Sequence, residues 1–342
     1  MANATFGLSS TTGDAFQDYC IGTAIVTMAV TTTHLLFLTN PEKDFKHESD
    51  SHPVQALSVP QRLIWGFSIH WNPRNVGWNT EVINLPPRPT TGRWRFVLDS
   101  LLRAVWFFFL LDLVQSYIHT NPIYSLSGQA AVSVKSQGYF WRCLNILAQG
   151  ASPYGVMNLQ YSLLCAFLVA LGISEPKHCP NAFGSWADSY TVRRFWGRTW
   201  HQNMRRFMTS YGKCATSLLG FKPGTLGSSY TQLYVAFALS AAIHSLGDRM
   251  VGLEYLGCSG RFFMSQAIAI TFEDMVIAAV RRQGVKVPGM VAHLVGYVWV
   301  FVWFSVSMPW LLDWGLRAGF GPSEVLPVQP LRTYVLQNST LY

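Results

Sequence analysis

Apolar and polar positions alternate along this chain in long blocks. Six apolar runs, at residues 18–38, 98–118, 156–173, 229–246, 262–280 and 291–312, each approach the roughly 20 residues that a helix needs to cross a bilayer's hydrocarbon core. They predict an all-α, polytopic membrane bundle of about six to eight transmembrane helices, organised as a single domain over residues 1–342. Residues 138–152 are apolar but shorter and more polar, and read as a re-entrant or interfacial segment. The stretch from Asn40 to Val59, with its PEKDFKHESDSHP core, reads as an exposed, mobile loop. The bundle is thus framed by tails at 1–17 and 313–342 and by long polar loops at 39–97 and 177–228.

Composition points the same way. Half of the residues are hydrophobic, 12% are charged and there are 13 tryptophans, against about 25% charge in an average soluble domain. The net charge of +8 is unevenly placed. Arg62, Arg74, Arg88, Arg93 and Arg95 precede the second run, Arg193, Arg194, Arg198, Arg205, Arg206 and Lys213 precede the fourth, and Arg281, Arg282 and Lys286 precede the sixth. The positive-inside rule places these loops in the cytosol and both termini in the lumen, where the sequons at Asn3 and Asn338 are open to glycosylation. The first residues lack a basic n-region, so the first run is expected to act as an uncleaved anchor. The cations lie beside apolar runs and outside any RNA- or DNA-binding motif, which argues against nucleic acid. Six scattered cysteines indicate neither a disulfide framework nor a zinc site, and no metal is expected.

Chemistry concentrates in Phe195–Arg206. Taken as one helix at 3.6 residues per turn, Arg194, Arg198, His201 and Arg205 share a face, with Trp196, Trp200, Asn203 and Phe207 beside them. An interfacial helix of this kind suits an anionic, partly apolar ligand. A second histidine, His244, lies in an apolar run, where an ionisable group marks a functional site. Asp248, one turn on, could polarise His244 if the helix continues through Gly247. At least one of Glu273 and Asp274, late in the fifth run, is expected to pair with Arg, His or backbone across the bundle, and Trp299, Trp303 and Trp310 to serve packing and interface belts.

FWGRTWH resembles the FYxDWWN-type motif of the membrane-bound O-acyltransferases, and AAIHSLGD resembles the histidine motif that follows it. With Asn84–Pro87, Pro180–Gly184 and Phe272–Asp274 in the same order, the resemblance spans roughly residues 70–310. It is nearest to the wax-synthase-like branch and the fungal enzymes that acetylate terpenoid and meroterpenoid alcohols. His201 stands where the animal motif has Asn, and Ser245 where plant wax synthases usually have an acidic residue. The resemblance implies acyl transfer from a coenzyme A thioester, acetyl-CoA, to a hydroxyl of a lipophilic metabolite, in the endoplasmic reticulum membrane.

Acyl transfer needs a base for the hydroxyl proton, donors for the developing oxyanion and a chamber that excludes water. On this reading His244 is the base, His201 a hydrogen-bond donor, and Asp248 an orienting group. Arg194, Arg198 and Arg205, with Trp196 and Trp200, would hold the acyl-CoA, since guanidinium groups suit phosphates. Two other readings stay open: a long-chain-alcohol fatty acyltransferase, and a transporter or structural protein in which His244, Glu273 and Asp274 form a relay.

Overall fold

A computed structural model describes residues 11–339, with side chains through Tyr334. The sequon at Asn3 and the end of that at Asn338 lie outside the described residues. The six apolar runs all fall on long helices: α1 (Ala15–Thr33, continued by a π-turn to Leu38), α3 (Arg93–Thr120), α4 (Tyr139–Ala170), α6 (Leu226–Val251), α7 (Gly260–Arg282) and α8 (Gly289–Ala318). Shorter helices are α2 (Val59–Trp71), α5 (Arg205–Leu218) and α9 (Pro330–Ser339). Four segments, Ala15–Leu38, Tyr139–Ala170, Leu253–Arg282 and Gly289–Ala318, are long and apolar enough to cross a membrane. Only 11% of the apolar window of Gly289–Ala318 is buried, which leaves the rest for lipid. α3 and α6 are as long, but they carry more polar side chains, and these point inward: Asp112 and Gln115 on α3, and Asp248 on α6, are buried.

Two expectations are corrected. Residues 138–152 are not a separate re-entrant segment, because they form the first half of the 32-residue helix α4. Its buried polar side chains find partners across the bundle: Asn145 accepts from the Tyr117 hydroxyl (2.7 Å) and the Asn121 amide (3.0 Å), and donates to the Val134 carbonyl (3.2 Å). A satisfied amide costs little in such a core, whereas an unpaired one would cost about 1–3 kcal/mol. Pro153 is accommodated within the same helix.

The 40–59 stretch is not a free loop either. Phe45 and Val54 are buried, and an isolated bridge joins His47 to Trp78. Glu48 accepts from Arg88 (2.9 Å) and from Nε2 of His178 (2.8 Å), and pairs with Lys177 (3.1 Å). Those donors hold the Glu48 carboxyl down at about 2.

The helices pair antiparallel. Arg93, at the start of α3, donates to the Val169 carbonyl at the end of α4 (2.8 Å), while Tyr117 meets Asn145 at the opposite ends. Tyr19, near the start of α1, meets His244, late in α6, and Thr33, at the end of α1, meets Tyr211 of α5 (2.6 Å). The three basic stretches therefore gather at one end of the bundle. The start of α1 and the segment after α8 lie at the other, where Ser323 donates to Asp14 (3.0 Å).

Candidate active site

The motif segment is not one interfacial helix. Val192–Arg194 make a single turn, Phe195–Thr199 form a π-turn, Trp200 is extended (φ −69°, ψ 154°) and α5 begins at Arg205. Two side chains and one backbone amide capture carbonyls that a continuous helix would have used. Gln202 donates to the carbonyls of Trp196 (3.1 Å) and Trp200 (2.6 Å), Arg205 donates to that of Gly197 (2.7 Å), and the Gly184 amide donates to that of Thr199 (2.9 Å). Such local bonds compete with helix formation. The break folds Phe195–Arg205 inward against α6 and α7, so the residues expected on one helical face meet around one cavity by a different route.

Glu273 anchors the start of this segment. Its carboxylate accepts from the amides of Val192 (2.7 Å) and Arg193 (3.3 Å) and from the Trp299 indole (2.9 Å). Asp274 pairs with Arg193 and accepts from the Tyr230 hydroxyl (3.1 Å). At least one carboxylate was expected to pair across the bundle, and both do. The Pro180–Gly184 strip is held by Arg74, a buried cation that sequence reasoning treated only as a topology signal. It donates to the carbonyls of Asn181 (2.6 Å) and Pro180 (3.1 Å) and to the Tyr161 hydroxyl (2.5 Å).

The cavity has a volume of about 580 Å³, and Arg194, Trp196, Arg198, Trp200, His201, Arg205 and His244 all line it. One face of α6 forms a wall running from Ser229 through Gln232, Ala236 and Ser240 to His244. At 1.5 Å per residue that wall is about 22 Å long. The basic residues stand at its outer end and His244 at its inner end.

His244 stacks on Phe263, with ring centroids 4.1 Å apart, and its Nδ1 lies 2.6 Å from the Tyr19 hydroxyl. Nε2 makes no hydrogen bond among the described residues, so it is the nitrogen left for a ligand. Asp248 does not touch His244. Helix α6 does continue through Gly247, but the Asp248 carboxylate accepts from Ser259, at 2.8 Å from the amide and 2.6 Å from the hydroxyl. Tyr19 holds the place that the sequence suggested for Asp248, and no sequence signal links it to a histidine so distant in the chain.

His201 lies between Phe183 (5.8 Å) and Trp200 (5.6 Å). Its Nδ1 is buried without a partner, a costly state unless a ligand or water satisfies it. Burial, and then the charge of Arg74, push its pKa down to about 4, so the ring is neutral near pH 7. Neutral imidazole has one donor and one acceptor nitrogen.

The three arginines differ. Arg194 is committed: it pairs with Asp188, donates to the Asp188 carbonyl (3.0 Å) and lies over the Tyr190 ring. Arg205 is half committed, to Gly197 and to Gln202 (2.7 Å each). Burial, and then the charge of Arg198, depress its pKa. Arg198 is exposed and pairs with no carboxylate among the described residues. An anion between Arg198 and Arg205 would relieve their repulsion.

Two polar groups escaped sequence reasoning for different reasons. Gln266 accepts from the indoles of Trp303 (2.9 Å) and Trp196 (3.3 Å), and so ties the motif to α7 and α8. A glutamine within an apolar run was a readable signal. Tyr19 was not, since its neighbours give no pattern. No group of three or more His, Cys, Asp or Glu with metal-binding geometry occurs among the described residues.

Comparison with known proteins matches residues 179–265 to the membrane bound O-acyl transferase family, and residues 92–170 to the C-terminal domain of aspirochlorine biosynthesis protein F. Acetyltransferase ple2 of Rhodocybe pseudopiperita is 34% identical, over 90% of this chain and 81% of that protein. Acetyltransferase eriL of Hericium erinaceus is 33% identical, over 94% and 84% respectively. O-Mevalon transferase macI of Penicillium terrestre is 30% identical, over 80% and 67%. No solved structure matches the chain. The matched stretch 179–265 contains both histidines and the arginines at the cavity mouth, and the relatives align with most of the chain. The chain belongs to the membrane-bound O-acyltransferase family, and it is an acyltransferase of the branch that includes these fungal acetyltransferases.

Proposed function

We propose that this enzyme transfers an acetyl group from acetyl-CoA to a hydroxyl of a lipophilic secondary metabolite, of the terpenoid or meroterpenoid class, with His244 as the general base. The observation that carries this reading is one cavity with unneutralised cations at its mouth and a histidine with a free Nε2 at its inner end. Arg198 and Arg205 suit the phosphates of the donor, and Trp196 and Trp200 flank its path. A donor held there extends its thioester along α6 toward His244.

At the inner end, His244 takes the acceptor's hydroxyl proton on Nε2 as the oxygen attacks the thioester carbon. The C–S bond then breaks, and the proton goes from His244 to the thiolate. His201 supplies a hydrogen bond to the carbonyl oxygen as charge develops there. Leu233, Phe237, Phe263 and Ile270 give the cavity an apolar lining, which suits a lipophilic acceptor and excludes competing water. The acetyl assignment rests on the names of the relatives ple2 and eriL. The basic end faces the cytosol on this reading, and the membrane is that of the endoplasmic reticulum.

Membranes bearing the protein, incubated with acetyl-CoA or palmitoyl-CoA and a panel of lipophilic alcohols, test the proposal through the masses of the esters formed. Acetate esters of polycyclic alcohols are expected. Palmitate esters of long-chain alcohols would instead make the protein a wax synthase, and the absence of any acyl transfer from coenzyme A thioesters would remove the donor assignment.

A further inference from the structure

A second cavity, of about 420 Å³, opens at the end of the bundle away from the active-site arginines, and no residue lines both. Its volume falls within the range of ligand pockets, about 300–1,000 Å³. Lys135 of the loop before α4, Arg261 at the start of α7, and Trp310, Asp313, Trp314 and Arg317 at the end of α8 all line it. Three cations thus share the cavity with one carboxylate.

That carboxylate is spent elsewhere. Asp313 accepts from the Ser133 hydroxyl (2.7 Å) and from the Val134 amide (3.0 Å), which ties α8 to the loop before α4. None of Lys135, Arg261 and Arg317 pairs with a carboxylate among the described residues. Arg261 lies over the Trp310 ring, 4.5 Å from its centroid. The ring covers a face of the guanidinium and leaves the in-plane N–H groups to an acceptor. Arg261 also stands in the first turn of α7, which holds no acidic residue, so the helix dipole adds to its positive field instead of offsetting it. Trp314 is only 2% exposed and its indole N–H has no acceptor, a state that calls for a ligand or water.

The cavity lies where the apolar segment Leu253–Arg282 begins and where Gly289–Ala318 ends. Those are the depths at which a spanning helix leaves the hydrocarbon and meets headgroups, and where tryptophan collects. The three basic stretches of the chain gather at the other end, so the rule that concentrates Lys and Arg on one side of a membrane does not account for these cations. Two guanidinium groups and an ammonium around one space match the oxygens of a phosphate, and basic pockets between spanning helices are suited to anionic headgroups. We propose that this cavity binds a phosphate group, supplied by an anionic phospholipid of the adjoining leaflet or by free phosphate, between Arg261, Arg317 and Lys135.

The full-length protein in phosphatidylcholine nanodiscs, with and without phosphatidic acid in the bilayer, provides the test. Phosphatidic acid should raise the thermal midpoint by about 2–5 °C, and native mass spectrometry should find it retained on the protein. Arg281→Gln with Arg282→Gln, which removes charge at the other end of the bundle, should keep that gain. Arg261→Gln with Arg317→Gln should lose most of it and retain several-fold less lipid. Arg317→Gln alone leaves the stack on Trp310 intact and decides the matter if the double variant is not recovered folded. Inorganic phosphate added to plain phosphatidylcholine discs separates the sources: a gain that the Arg317 substitution abolishes assigns the site to free phosphate, and a gain from phosphatidic acid alone assigns it to a headgroup. An equal gain in wild type and in the Arg261 and Arg317 variants, or no gain from either source, overturns the proposal.

Discussion

The two histidines of the cavity sit in environments that suit different tasks. His244 has one nitrogen bound and one open, which suits a base, whereas His201 is wedged between aromatic rings with a buried, unpartnered nitrogen. Replacing His244 by Ala should remove ester formation, about 10²- to 10⁴-fold in rate, with insertion and abundance retained, as read by product mass and immunoblot. Near wild-type ester formation would reduce His244 to a packing residue. His201→Asn keeps a donor and should retain much of the activity, and His201→Ala should lose more. A pH test separates the two substitutions further. Because the folded-state pKa of His201 lies near 4, below its ordinary 6.5, its stabilisation is complete above 6.5 and is lost as the pH falls through 4. Asn has no proton to take, so His201→Asn should flatten the loss of thermal stability across that window, and an unaltered acid limb would contradict the burial described for this ring. Both histidines were legible in the sequence because each interrupts a recognisable pattern. Tyr19 was not legible, because only the packing of α1 on α6 brings it to the site.

Among elements, the break at Trp200 is where sequence and structure part. A 3.6-residue period assumes that backbone carbonyls bond within the helix, and Gln202, Arg205 and Gly184 take four of them away. The residues that line the cavity were legible, but the conformation that gathers them was not. Gly184 is the tightest point of this arrangement, since a Cβ there would lie 2.1 Å from the Arg198 carbonyl oxygen. Backbone cannot yield as a flexible side chain does. Gly184→Ala should cost roughly 1–3 kcal/mol in stability and lower activity by shifting Arg198–His201, with no thermal shift as the contrary result. The arginines should also separate. Arg198→Gln should raise KM for the donor with little change in kcat, the mark of lost ground-state binding. Arg194→Gln should lower the thermal midpoint, because it strips Asp188 of its partner. Equal effects of the two substitutions on donor KM would undo the distinction.

Across the whole molecule, the antiparallel pairing collects Arg62–Arg95, Arg193–Lys213 and Arg281–Lys286 at one end. The charge pattern had implied a common side for these stretches. The count of spans was less legible, because α3 and α6 hide polar side chains among apolar ones and hydropathy cannot tell an inward face from an outward one. With the basic end cytosolic, a reporter fused after Tyr342 should be lumenal and Asn338 open to glycosylation, which an endoglycosidase mobility shift would reveal. A cytosolic reporter would contradict this orientation.

The wall of α6 between Ser229 and His244 makes the cavity a ruler of about 22 Å. Donors that carry the nucleotide grip at one end and the reactive carbonyl at the other are measured against it. A donor with its linking arm shortened by several atoms should still bind at the arginines while its carbonyl stops short of the base, and so should inhibit competitively without turning over. A minimal acetyl thioester with no nucleotide should do the reverse, reaching His244 but only at high concentration. Chain length between phosphate and sulfur thus becomes a selectivity filter in its own right, independent of the identity of the acyl group.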